Sequence, residues 1–543
     1  MRMKILLSVL FLAAFAGFGY KEYKNSEFQS DYSNFFVAPN YRIFPSSFSQ
    51  SEPEIVRHPI NPNIMFASAF TFNGSFKSEG VFITTNGGNT WFGSDTCKGA
   101  PIFNHGGDPG PLIDKDGRFL MAHIGSFAAG QFTHYSTDFG ASWSGQYPIA
   151  TGDQDKGDIR SDGKPGSPYF GRTYLSWVQF APPFPVFITS TTNGGVNWSG
   201  NLQVNNPTQR SQGTVLRVGP SGEVVICWAG TISTSPFTED YIGFAKSTNG
   251  AQSFSVNENI FDINGIAGTL PQKGNIRVNG LPKMDIDLSG GTRNGWIYIV
   301  TTEKNLSPAG TDPDIILRRS SDFGQTWSQR IRVNQDAVNN GKTQFFPAIR
   351  VDEGGGINVI YYDDRRTASD SAEVFLSRST DGGNTWTDFV ISDHRFKPSP
   401  ISGTTAGYMG DNIGLTSGNN FLWPVWMDNS SGIYQVWTSK IDINTLGIRQ
   451  TSAQIPDKFL LEQNYPNPFN PVTNIKFSIK EKSDVTMKIY NTEGKLIETL
   501  VEKILPAGEY EYSFNAAGLN SGIYFVTLET DGFSDSKKMI LLK

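Results

Sequence analysis

The sequence predicts an all-β chain: a seven-bladed β-propeller, alternatively six-bladed, followed by a small antiparallel β-sandwich. Three observations predict it. An eight-residue frame with a tight turn at its centre recurs six times, each copy ends on Trp or Phe, and residues 458–543 alternate apolar and polar side chains at the period of a strand.

The frame reads TTNGGNTW from Thr84, STDFGASW from Ser136, TTNGGVNW from Thr191, STNGAQSF from Ser247, SSDFGQTW from Ser320 and STDGGNTW from Ser379. Successive starts lie 52, 55, 56, 73 and 59 residues apart. That spacing suits one four-stranded sheet per repeat, with a longer insertion before the fifth copy. The opening hydroxyl and the Asp or Asn two residues later can bond the turn's own backbone, while Gly in the fifth position takes a positive φ without steric cost. The closing ring is then free to pack between neighbouring sheets, where burial stabilises by roughly 1.5–3 kcal/mol per ring.

Each repeat also begins on an apolar strand: EPEIVRHP from Glu52, DPGPLIDKDG from Asp108, DKGDIRSDG from Asp155, QGTVLRVGPSG from Gln212, LPKMDIDLSGG from Leu281, FPAIRVDEGG from Phe346 and DNIGLTSGN from Asp411. Seven openings exceed six turns. The last unit carries YQVWTSKID, in which Asp442 holds the register of the turn's acid although the glycines are gone. It reads as a degenerate seventh blade. The segment NYRIFPSSFSQSEPEI parallels RIRVNQDAVNNGKTQFFPAI before the sixth opening, so residues 40–45 read as an outer strand without a blade of its own. Placed on the seventh sheet, that strand closes a ring and protects edges that would otherwise pair with other chains.

Composition sets limits. The chain has 543 residues, 18% of them charged, with 57 Gly, 11 Trp and 40 Phe, and a formal net charge of -6 without long basic runs. Nucleic acid is excluded as a partner. Cys97 and Cys227 cannot make a disulfide framework, and Cys227 in EVVICW reads as core. Residues 1–19 join Arg2 and Lys4 to the apolar run ILLSVLFLAAFAGF and a small-residue site at Ala14, Ala16 and Gly17. This is the pattern of a secretory signal peptide, and no second such run follows, so no transmembrane segment is expected in the mature chain. The propeller is expected over 20–447, a linker over 448–457, and a sandwich of about seven strands over 458–543.

The C-terminal region carries EQNYPNPFNPVTNIKFSI, a central GEY, LNSGIYF and a terminal KKMILLK. These resemble the sorting domain of the type IX secretion system. The resemblance implies that residues 458–543 engage that machinery, which carries the cargo across the outer membrane of a Gram-negative bacterium for release or surface attachment. The octapeptides resemble the Asp boxes, or BNR repeats, of sialidases and related propellers over residues 50–445. This second resemblance implies a sialidase-like fold; in that family the boxes are structural, so they imply no activity.

The turns join strands three and four of each blade, so a ligand would meet the opposite face. There the first positions of the openings read Glu52, Asp108, Asp155, Gln212, Leu281, Phe346 and Asp411. With blade seven beside blade one, the four acids fall on consecutive blades. Such carboxylates can serve as catalytic acid and base of a glycosidase or hold a hard cation such as calcium. Equally, each can cap the neighbouring backbone. No other cofactor is called for. Arg365 and Arg366 in YYDDRR, with Tyr362 and Phe346, are candidates to position a sugar; the alternative is a turn that satisfies its own charges.

Sialidases use three arginines, a tyrosine with a glutamate, and an aspartate, the first arginine lying in an F/Y-R-I-P strand. Tyr41, Arg42, Ile43 and Pro45 resemble that strand, but Phe44 is inserted, Arg42 falls on an outermost strand, and the family has six blades. Sialidase activity is therefore not assigned. The expected function is a secreted or cell-surface propeller that binds a glycan or surface polymer without catalysis, the alternative being a glycoside hydrolase using the rim carboxylates. The loop DQDKGD from Asp153 to Asp158 has Lys164 where a calcium loop would place its bidentate Glu. His58, His105, His123, His134 and His394 show no metal-spaced pair, and no metal site is expected from them.

Overall fold

The computed structural model describes residues 39–97, 104–446, 448–452, 454–516 and 519–543; the signal peptide expected at residues 1–19 lies outside them. The described chain is all β, its only helical elements being single 3-10 turns at Pro271–Lys273 and Ile443–Thr445. Seven antiparallel sheets follow one another, each on a four-strand path, an arrangement consistent with a propeller. Their first strands are Ser49–Arg57, His105–Ile113, Asp158–Ser161, Arg210–Val218, Lys283–Ile286, Gln344–Val351 and Gly414–Gly418. The long interval before the fifth turn is filled by a two-stranded ribbon, Gly268–Leu270 with Ile276–Val278.

Each turn is built as its residue types require. Ser136 Oγ donates to Asp138 Oδ1 at 2.8 Å and accepts from Gly140 N at 2.9 Å, while Asp138 Oδ1 accepts from Ser142 N at 2.9 Å. The same bonds recur from Ser320 to Asp322, Gly324 and Thr326, and from Ser379 to Asp381, Gly383 and Thr385. Two successive residues are left-handed, not one: Phe139 and Gly140 at φ 55° and 74°, Gly250 and Ala251 at 70° and 67°. Phe and Ala at these positions carry strain that the hydroxyl–acid bonds hold in place.

The closing rings join the sheets. Trp91, Trp143, Trp198, Phe254, Trp327 and Trp386 each pack in or against a different apolar core. Every such core combines side chains of two consecutive sheets. Met65 and Ala67 of the first sheet share theirs with Trp423, Val425 and Val436 of the seventh, so the last sheet packs on the first. Strand faces inside this sequence of sheets are covered on both sides, which is why Phe66, Trp228 and Tyr361 are fully buried.

The seventh sheet runs Gly414–Gly418, Phe421–Asp428, Gln435–Thr438 and then Tyr41–Arg42, with Tyr41 opposite Thr438 and Arg42 opposite Trp437. Residues 40–45 thus supply the outer strand of a sheet formed by the far end of the chain. Buried glutamines fasten the join. Gln50 donates to Phe44 O at 2.9 Å and Asp95 Oδ1 at 2.8 Å, and accepts from Val436 N at 2.9 Å. Gln435 accepts from Ser46 N at 2.9 Å and donates to Phe48 O at 2.6 Å. Beside them, Asp393 exchanges two bonds with Asn40, and His394 lies between Asp393 Oδ1 at 2.7 Å and Asp428 Oδ2 at 2.9 Å.

Residues 448–541 form a sandwich of two four-stranded sheets over a separate core that includes Phe477, Met487, Val526 and Leu541. Ile448–Ser452, expected as linker, instead pairs with Gly508–Asn515 and is the eighth strand of the sandwich.

Replacing Gln50 by Ala strands the Val436 amide and the Asp95 carboxyl in a buried site. The expected loss is about 1–3 kcal/mol in urea unfolding, and an unchanged midpoint would show that the glutamine does not hold the join. Burial lowers the His394 pKa, but its two carboxylate partners outweigh that and raise it to about 9. Its contribution is full below the ordinary histidine value and is lost as pH rises through about 9. Wild-type stability should therefore fall between neutral and alkaline pH more steeply than that of His394→Gln, as read from melting temperatures.

Candidate functional site

The first strands of four sheets break register at the same place: between Ser51 and Glu54, Gly107 and Gly110, Gln212 and Val215, and Phe345 and Ala348. Each break is a bulge containing a left-handed residue, Glu52 at φ 54°, Asp108 at 56°, Gly213 at 64° and Phe346 at 52°. A bulge re-aims the side chain it carries, and a non-glycine residue there costs of order 1–3 kcal/mol unless its surroundings fix it. In the fourth sheet glycine takes the strained position, one residue beyond the Gln212 read from the sequence.

At this end, opposite the turns, the first strands surround a cavity of about 650 Å³. Glu52, Asp108, Asp155 and Asp411 line it, as do Gln212 and Leu281. The four acids do converge. Glu52 and Asp411 lie side by side, and burial together with Asp108 and Asp411 raises Glu52 well above the usual carboxylate range. Asp108 is pushed to about 7 by burial and by Asp155, against the pull of Lys156. Asp155 is raised by burial, although it accepts the amides of Lys156 and Gly213. Of the four, Asp155 thus matches the expectation of an acid that caps backbone. Asp411 instead accepts side-chain amides, from Asn279 at 2.8 Å and Asn412 at 3.1 Å.

Deeper in the cavity the balance reverses. Glu54 pairs with Lys156 at 2.7 Å, and burial, which would raise it, is outweighed by Lys156, Lys283 and Arg160, so it falls to about 2. Arg160 and Arg217 each reach Asp158 at 3.0 Å, and Arg217 reaches Asp285 at 3.2 Å. This lower tier is held by ion pairs, while in the upper tier burial and like charge raise Glu52, Asp108 and Asp155. Lys156 belongs to both and links their charges.

Two arginines at the mouth escaped the sequence reading. Arg277, on the inserted ribbon, stands 3.7 Å from Asp411 with its side chain half exposed. Arg210, at the start of its strand, has its guanidinium carbon over Phe180, Phe237 and Phe184 at 4.1, 4.6 and 5.2 Å. Among the described residues it makes no ion pair within 4.0 Å, and its Nε is buried without a partner. Arg210 stands two residues before Gln212, but no pattern in the chain marks it as facing the cavity.

The expected sugar-positioning group is corrected. Arg365 is held by Asp363 of its own segment at 2.6 Å and by Asp388 at 2.5 Å and Asp336 at 3.5 Å from other segments, with Tyr361 Oη at 3.1 Å, so its charge is already neutralised. Tyr362 is fully buried with its hydroxyl donating to Met427 O at 2.6 Å, and Phe346 is 2% exposed in the same core. Arg366 is turned toward Glu373 at 3.9 Å. None of the four lines the cavity. Arg42 lies on the outermost strand, over the Trp437 ring, as the alignment of repeats requires.

His105, His123 and His134, far from metal spacing in sequence, are brought together on adjacent strands of the second sheet, buried beside Glu79. Burial lowers all three, His105 to about 3.

Residues 463–542 match the family described as a secretion system C-terminal sorting domain. The chain therefore carries the signal for export to the cell surface or beyond it. No helix of the described residues is long and apolar enough to cross a membrane. No curated protein matches the chain. Similar solved structures include a protein of unknown function from Dyadobacter fermentans, at 12% identity and TM-score 0.44 over 75% of this chain and 98% of that one. A polysaccharide lyase acting on ulvan aligns at 10% identity and TM-score 0.46 over 73% and 94%. A surface component of the type IX secretion system of Porphyromonas gingivalis aligns at 12% identity and TM-score 0.30 over 89% and 69%.

Because Asp108 keeps its proton in the folded chain up to about 7 but loses it near 4 when unfolded, rising pH destabilises the fold through this residue. Asp108→Asn should leave stability unchanged at pH 4 and raise it by on the order of 1 kcal/mol at pH 8, allowing for solvent in the cavity. Equal melting temperatures at pH 8 would count against the raised pKa of Asp108.

Proposed function

We propose that the seven sheets form a closed seven-bladed propeller of the sialidase-like type, exported by its C-terminal domain, whose axial cavity binds a saccharide of a glycan or surface polymer. The observation that carries this reading is the composition of the cavity wall. Glu52, its carboxyl raised well above the usual range by burial, Asp108 and Asp411, offers a donor, and the carboxyl oxygens beside it offer acceptors, to sugar hydroxyls. Phe180 and Phe237 give apolar faces for a sugar ring, and Arg210 between them gives fixed donors for a carboxylate or sulfate substituent.

A glycan array probed with the exported chain tests this. Binding is expected, strongest for acidic saccharides, with Arg210→Ala weakening it by about 10- to 100-fold, the scale of a charge-assisted bond. An array without signal, or binding indifferent to Arg210, would remove the reading.

One observation favours catalysis as a second reading. Asp108, held protonated to about 7 beside other carboxyl groups, is the state a glycosidase acid requires. Turnover of fluorogenic glycosides that drops by about 10²–10⁴ in Asp108→Asn would establish it. Turnover that survives both Asp108→Asn and Asp155→Asn would place the chemistry elsewhere.

A further inference from the structure

We propose that His105, His123 and His134 form a buried site for one divalent transition-metal ion, zinc by preference, between the first and second sheets. The three stand on the adjacent strands His105–Ile113, Phe119–Gly125 and Gly130–Ser136. One nitrogen from each lies within 4.8 Å of the others, and the residues are 0–2% exposed.

The hydrogen bonds fix where the ring protons sit. His123 Nδ1 is 2.8 Å from Ile124 O and His134 Nδ1 is 3.0 Å from Ser144 O. A carbonyl oxygen only accepts, so each Nδ1 carries hydrogen and each Nε2 presents a lone pair. These two Nε2 atoms face each other at 3.1 Å. Without a cation between them, two lone pairs collide; a shared proton would place an imidazolium in a dry site, which burial opposes. A metal ion removes the conflict. At the usual zinc–nitrogen distance of about 2.0–2.1 Å, nitrogens with this separation subtend about 100° at the ion, close to tetrahedral.

His105 supplies the independent observation. Both its ring nitrogens, and Glu79 Oε2, are buried without a hydrogen-bond partner. Its Nδ1 is 3.7 Å from Glu79 Oε1. Joining through Nε2, His105 directs Nδ1–H at the carboxylate, so all three rings share one pattern: Nε2 to the ion and Nδ1–H to an oxygen acceptor that fixes the ring. His105 stacks on His123 at 4.1 Å with 17° between planes, so binding turns the His105 ring about its Cβ–Cγ bond to bring its lone pair to the ion. Glu79, on the extra strand Phe76–Glu79 of the first sheet, supplies negative charge toward the ion's two positive charges. It also accepts from Gly107 N at 3.2 Å, immediately before the Asp108 bulge. The ion would tie two sheets together and brace the strand that presents Asp108.

The test uses the full chain, stripped with a chelator and titrated with Zn²⁺ or Co²⁺ alone. One equivalent of Zn²⁺ should bind and raise the melting temperature, and Co²⁺ should give the intense visible bands of a tetrahedral nitrogen-rich site. Glu79→Gln should weaken uptake by about 10- to 100-fold and a His123→Gln, His134→Gln double variant should abolish it, with His58→Gln unchanged. If the double variant does not fold, the wild-type Co²⁺ spectrum decides. Stripped, folded wild type that takes up no metal, or shows only weak octahedral Co²⁺ bands, overturns the proposal. So does stoichiometric binding retained by a folded double variant.

Discussion

A succession of small sheets, each packed face to face on the next, covers its faces but leaves the first and last exposed. The structure meets that requirement with chain from both ends: Tyr41–Arg42 pairs with Gln435–Thr438, and the core shared by Met65 and Val425 covers what would be two naked faces. The inner strands surround a common cavity because the seventh sheet stands beside the first. Gln50 and Gln435 matter out of proportion to their number. They satisfy backbone groups of segments nearly the whole domain apart in sequence, in a site where an unmade bond carries its full desolvation cost.

The same join creates the electrostatic character of the cavity. Glu52 and Asp411 are separated by almost the entire domain, yet they meet because their segments are neighbours across the join, and Asp411 helps to raise Glu52 above the usual carboxylate range. Bulges with left-handed Glu52 and Asp108 turn carboxyls toward the cavity. Local strain thus places Glu52 and Asp108 beside other acids, and like charge adds to burial in raising both. Beneath them, Lys156 and the Arg160–Asp158–Arg217–Asp285 chain compensate charge by pairing instead. One cavity therefore holds carboxylates in two settings, crowded and raised in pKa at the mouth and ion-paired below.

The C-terminal sandwich has its own core and matches a sorting family over 463–542, so the export signal resides in a unit separate from the seven sheets and their cavity. Its boundary lies earlier than composition implies. Ile448–Ser452 looks like a polar linker, but its backbone pairs with Gly508–Asn515, and pairing depends on a partner about sixty residues away.

Much was legible in the chain. The hydroxyl, acid and left-handed pair of each turn act within eight residues, so STDGGNTW states its own conformation, and its closing ring states that something must cover it. The openings that begin at Glu52, Asp108, Asp155 and Asp411 were legible too, since strand period and repeat spacing place them at equivalent positions. Other features were decided by assembly. YYDDRR looks like an anion grip until Asp388 and Asp336, from other parts of the chain, arrive to neutralise Arg365. Arg210 becomes a cavity residue only when three phenylalanines from separate positions enclose it. His105, His123 and His134 have no common spacing, because strand register rather than sequence interval brings them together. Interactions that close within a turn or a strand are written in the order of residues. Those that depend on which strand lies opposite which, and on what the shared burial does to their charges, exist only once the sheets have packed.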